Sequence, residues 1–137
     1  MHRLILIFIT ITMLISTVVG QTNNTEFRAT WVITWEHINR YDSVEENMAR
    51  IRQIMDNHVA ANMNAVLWQA RQSGTAYYSS SYEPWGYYAG EVYPGYDPLE
   101  YAIGQAHLRG LELHAWVNAF QAASTSVGTP SYEHPEW

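Results

Sequence analysis

The apolar positions along the chain change period in a fixed order. "FRATWVITW", Phe27 to Trp35, is β-branched and aromatic and predicts a strand. The polar connection "EHINRYD" follows. Ser43-Val44-Glu45-Glu46 then has the form of a capping box, in which Ser43 and Glu46 satisfy free amides at a helix start. Val44, Met48, Ile51, Met55 and Val59 recur at helical spacing and predict one apolar face. After a short link at Asn62 to Asn64, "AVLWQA" (Ala65 to Ala70) predicts a second strand. A long loop leads to Asp97-Pro98, an N-cap with proline at the first helical position. Leu99, Ala102, Ile103 and Ala106 form the expected buried stripe of this second helix, and Gly110 suits its left-handed cap. Leu111 to Phe120, "LELHAWVNAF", predicts the third strand.

The order is βαβαβ, which calls for parallel strands with helical crossovers. Links from helix to strand are two or three residues long, whereas links from strand to helix are long and chemically rich. Such asymmetry is expected of the N-terminal portion of a (β/α)8 TIM barrel, whose site is built from loops after the strands' C-terminal ends. A dinucleotide-binding sheet loses ground, because no G-x-G-x-x-G follows the first strand. A full barrel needs about 250 residues, and three strands of eight are legible, so the 137 residues read as the truncated start of a longer protein.

Composition narrows the class. Residues 1–20 combine a basic start, an apolar run and small residues before Gln21, the form of a cleaved export signal. Residues 21–26 read as a flexible lead, and 27–137 as the domain segment. No membrane span is expected to remain after cleavage. The expected location is outside the cytoplasm: periplasm, cell surface or medium of a bacterium. Absence of cysteine excludes disulfides and thiolate metal sites. The formal charge is −6 and all seven basic residues are arginines without a cluster, so nucleic acid is not an expected partner. Neither a metal nor an organic cofactor is indicated.

The motifs carry a resemblance. "FRATWVITW", "NAVLWQAR", "YEPWG" and "PGYDPLEYAIGQAHLRGLELHAWVNAF" together resemble the N-terminal part of the family 10-like glycosyl hydrolases, a group distinct from the family 10 xylanases. Gln72 and Ala119 stand where members often have proline. The resemblance implies an exported bacterial TIM-barrel enzyme that hydrolyses glycosidic bonds in polysaccharide, with peptidoglycan glycan a leading candidate. The alternative is a glycan-binding barrel that keeps an aromatic cleft without catalytic acids.

Strand alternation places His114, Trp116 and Asn118 on one face of the third strand, and Gln69 and Arg71 on one face of the second. Gln69, Arg71 and Asn118 are candidates to hydrogen-bond sugar hydroxyls, and Trp116 to stack on a pyranose. His114 is read as a hydrogen-bonded core histidine, and Trp31, Trp35 and Trp68 as packing. In "QARQSGTAYYSSSYEPWGYY", Tyr78 and Trp85 are further substrate-binding candidates, and about half of the long loop's rings are expected to pack. Glycoside hydrolysis normally uses two carboxyl groups. Glu36 alone follows a strand end, so the main acids are expected beyond Trp137.

Overall fold

A computed structural model describes residues 26–123. The expected export signal, most of the lead and the segment after residue 123 lie outside the described residues. The elements are β1 (Ala29–Val32), α1 (Thr34–His37), α2 (Val44–Ala60), β2 (Ala65–Gln72), β3 (Thr75–Ala76), α3 (Pro98–His107) and β4 (Glu112–Val117). A single 3-10 turn, Tyr87–Ala89, lies in the long loop.

The chain is α/β, with β2 at the centre of the sheet. β1 pairs with it in parallel, Ala29 opposite Ala65 through Val32 opposite Trp68. β4 pairs in parallel as well, from Glu112 opposite Ala65 to Val117 opposite Arg71, with a register shift between Gln69 and Arg71. β3 turns back antiparallel on Arg71 and Gln72, so it occupies the edge that β1 has already left.

Both long helices pack on the same face of this sheet. Val32, Val66 and Trp68 meet Ile51 and Met55 of α2 and Ala102 and Ala106 of α3 in one buried cluster, with Leu111 at its end. The caps are those the sequence predicts. Ser43 Oγ accepts from the Glu46 amide while the Glu46 carboxylate accepts from Ser43 N–H. Asp97 Oδ1 accepts from the amides of Leu99 and Glu100. Gly110 takes φ 71°, the left-handed conformation that closes α3.

Several expectations fail at element ends. The first strand stops at Val32, and Trp35 lies in the one-turn helix α1. Strand propensity is overridden there because Gln69 Oε1 takes the Thr34 amide at 3.1 Å and Gln72 Oε1 takes its hydroxyl at 2.7 Å. β2 runs two residues past Ala70, because the β3 turn extends it. β4 ends at Val117 rather than Phe120. Ile103, Val44 and Val59 are exposed, since they sit at the margin of their helices' contact with the sheet. Asn47 and His58 are buried in place of the two valines, each hydrogen-bonded. Asn47 ties the Asn39 loop to α2, and His58 bonds Thr30 Oγ1 at 2.8 Å.

Candidate site at the strand ends

The face opposite the helices carries rings. Phe27 meets His114 edge-on at 5.2 Å, and Trp31 meets Trp116 edge-on at 4.9 Å. Trp31 thus packs against another ring, as expected, though 62 % of it is exposed in this chain. His114 is not a core histidine. It lies exposed on this face, its Nε2 3.0 Å from Glu112 Oε2. Trp68 does pack as expected, fully buried on the helix side.

Toward the C-terminal ends of the strands, two charged groups meet. Arg71 Nε lies 2.9 and 3.0 Å from the two carboxylate oxygens of Glu83, and Nη2 donates to Oε1 at 2.7 Å. Arg71 Nη1 donates to the carbonyl oxygens of Asn118 and Gln121. A single guanidinium thus ties β2, the long loop and the segment after β4. The fork geometry of arginine matches a carboxylate with two parallel bonds, and this fork is already filled by the protein.

Gln69 is 1 % exposed, and its side chain caps α1 through Thr34. Asn118 Nδ2 donates to Gln121 Oε1 at 3.1 Å, and Asn118 is half-buried. Glu36 is exposed on α1, where its carboxylate accepts from Ile33 N–H at 3.2 Å. Glu36 and Glu83 thus each make local hydrogen bonds. Tyr78 and Trp85 are half-buried, and Trp85 tilts against Tyr93 at 5.7 Å. The structure brings Trp31 and Trp116 together, and Arg71 with the Asn118 backbone, but it draws Gln69 away into the α1 cap.

The long loop is a small folded unit. Tyr77, Ile38 and Ala89 form a second buried cluster with Trp85 and Tyr88 against it. Burial pushes the Tyr77 and Tyr96 hydroxyls up to about 12, Tyr77 partly offset by its bond from the Tyr88 amide. Gly86 lies over the ring of Tyr77, and a Cβ there would sit 2.6 Å from Cε2 and closer still to the hydroxyl end. Tyr82, Tyr87 and Tyr93 are exposed. Of the eight rings from Tyr77 to Tyr96, these three are exposed and five are buried or half-buried, more than the expected half.

His37 was not singled out by any motif. It is fully buried, stacked on Trp68 at 4.3 Å, with Nε2 3.1 Å from the Gln69 carbonyl oxygen. Burial lowers its pKa to about 4, against a smaller opposite effect of the Gln69 bond. The ring is therefore neutral, with the Nε2 proton donated to that carbonyl. It links α1, the core and, edge-on at 6.0 Å, Tyr77. Among the described residues no three His, Asp or Glu side chains form a metal-ligand set, and no helix is long and apolar enough to cross a membrane.

The parallel strands thus carry helices on one face, rings on the other and a polar clasp at their C-terminal end. The model of the glycosyl hydrolase-like 10 family matches residues 26–137, and this chain belongs to that family. It is 33 % identical to glycosyl hydrolase YngK of Bacillus subtilis over 126 residues, covering 82 % of this chain and 25 % of that protein. It is 30 % identical to glycosyl hydrolase DigH of Escherichia coli K12 over 124 residues, covering 80 % of this chain and 28 % of that protein. The chain thus spans about a quarter of the length of these relatives.

Proposed function

We propose that this chain is the N-terminal part of an exported bacterial glycoside hydrolase with a TIM-barrel domain, acting on polysaccharide, with peptidoglycan glycan strands the leading substrate. One observation carries the reading. The parallel strands follow in sequence order, β1 beside β2 beside β4, with both crossover helices on one face. One half of a doubly wound sheet winds the same way, and a barrel continues that winding with the other face inside; membership of the glycosyl hydrolase-like 10 family favours the barrel. The inward face here would be the one bearing Phe27, Trp31, His114 and Trp116.

In this reading Trp116, braced by Trp31, offers a ring to a pyranose, and Tyr78, Trp85 and Asn118 border the same mouth. Gln69 and Arg71 act behind the substrate, fixing α1 and the long loop. The catalytic acids lie on strands after Trp137. The engagement of Glu36 and Glu83 in local bonds equally suits a second reading, a glycan-binding barrel without catalytic acids.

The test is expression of the full open reading frame, with assay of reducing ends released from peptidoglycan and from other bacterial and plant polysaccharides. Release that survives Glu36→Ala and is lost on replacing a carboxylate beyond Trp137 supports the hydrolase. Binding of glycan without release supports the second reading, and neither binding nor release overturns both.

A further inference from the structure

Outside the inward face of the sheet, a groove of about 360 Å³ runs between the loop before α2 and the tip of the long loop. Its walls include Asn39, Arg40 and Asp42 on one side and Tyr88, Val92 and Tyr93 on the other. This volume lies at the lower end of small-molecule sites, roughly 300–1,000 Å³. We propose that it is an outer subsite for an uncharged pyranose unit of the same glycan chain. The inference rests on the glycan reading above.

Three observations support it. First, the groove joins a run of accessible rings that begins at the strand ends. Trp35, 48 % exposed and just past β1, tilts against Tyr88 at 5.9 Å, and Tyr88 lines the groove. Tyr93 is 59 % exposed at its wall. Rings of this kind present an apolar face to the C–H side of a sugar, and tyrosine adds a hydroxyl for its edge.

Second, the polar side chains are held in place before any ligand arrives. Asn39 Nδ2 donates to Asp42 Oδ1 at 2.9 Å, and Asn47 Oδ1 accepts from the Asn39 amide at 2.8 Å. Arg40 lies over the Tyr87 ring at 4.5 Å. Groups fixed in this way bond vicinal hydroxyls, through whatever donor and acceptor capacity they keep, at a lower ordering cost.

Third, charge within the groove is balanced. Arg40 faces Glu91 at 3.7 Å, and Asp42 is paired with Arg50. A balanced lining favours neither an anion nor a cation, so a neutral hydroxylated ligand is the matching chemistry. The wall itself is set by unusual backbone: Gly90 and the non-glycine Glu91 both have positive φ, 86° and 63°. Glycine adopts this conformation freely, whereas at Glu91 it carries a cost that surrounding contacts must offset. Here the Glu91 and Gly90 amides bond to the carbonyls of Gly86 and Tyr87.

The experiment uses the full protein and insoluble peptidoglycan sacculi, measuring the bound fraction at equilibrium, with Tyr93→Ala and Val92→Trp as variants. Tyr93→Ala removes an exposed ring, and Val92→Trp fills the groove from an exposed rim position. A thermal melt checks that each remains folded. The expected result is at least a fivefold weaker association for both variants, with Val92→Trp leaving unchanged the cleavage of the shortest soluble glycan fragments that wild type accepts. Wild-type binding that neither variant weakens overturns the subsite and leaves the glycan reading intact. Absence of wild-type binding to sacculi and to other polysaccharides overturns the glycan reading and the subsite together.

Discussion

The guanidinium of Arg71 and the carboxylate of Glu83 lie side by side, Nη2 2.7 Å from Oε1, and join two sequence motifs twelve residues apart. Gln-x-Arg ends β2 and Glu-Pro-Trp begins the return of the long loop. Both side chains are mostly shielded, 14 % and 18 % exposed. Removing one partner leaves the other charge partly buried, a loss of about 2 kcal/mol, between exposed and fully buried pairs. Arg71→Ala is expected to lower stability by that amount in denaturant unfolding. Arg71→Lys should recover little of it, because an ammonium cannot reach Glu83, Asn118 and Gln121 together. Full recovery with lysine would show that charge alone matters.

His37 gives a pH dependence with a definite sign. Its native pKa, about 4, is below the ordinary 6.5. Between those values the unfolded chain binds the extra proton, so stability is complete above about pH 6.5 and falls as pH drops toward 4. The full difference is about 3 kcal/mol at the low end. His37→Gln is expected to flatten the stability profile across this window, whatever its absolute stability. Equal slopes for wild type and variant between pH 6.5 and 4 would contradict the assignment.

Gly86→Ala is expected to disturb the long loop, because the added methyl enters the space of the buried Tyr77 ring. Overpacking of this kind costs about 1–3 kcal/mol. Hydrogen exchange should show faster opening of the amides of Gly86, Ala89 and Gly90, with those of β2 unaffected. A Gly86→Ala protein with unchanged protection would mean that Tyr77 moves aside freely.

Trp31 and Trp116 meet edge-on on the open face. Under the proposed function, Trp116→Ala should weaken glycan association about tenfold, the scale of losing one stacked ring and its support. Trp31→Ala should produce a smaller loss, and the double variant less than the sum of the two. Strict additivity would indicate that the rings act independently.

The sequence made the caps legible because each is a local affair. Ser43 with Glu46, and Asp97 with Pro98, satisfy amides within three residues, so composition alone locates the helix starts. It placed Ala102, Ala106, Ile51 and Met55 in the core by periodicity. The fate of Trp35 was not legible, since the α1 turn depends on Gln69 and Gln72, more than thirty residues away. Gln69 read as a sugar ligand for the same reason: its partner is a distant backbone amide. One signal for the Arg71 clasp was present. In the nearly uncharged stretch from Gln69 to Tyr88, one arginine and one glutamate stand alone, and opposite charges left alone in an aromatic segment tend to find each other. The register shift beside Ala70 defeated the simple count that put Gln69 and Arg71 to the same use.

Asp97 also has a second role. While Oδ1 caps α3, Oδ2 accepts from the Ser79 amide at 2.7 Å, so the far end of the long connection is stapled to its beginning. β3 closes the near end on β2. The entropy of a loop depends on the span between its fixed points, and here the stem is fixed independently of the tip. Tyr82 and Val92, at 92 % and 63 % exposure, mark places on the part of the loop beyond that stem. Like the hypervariable loops of an antibody, the excursion can gain or lose residues at such points while its framework keeps its shape. New ligand preferences can therefore evolve in this chain without renegotiating the fold.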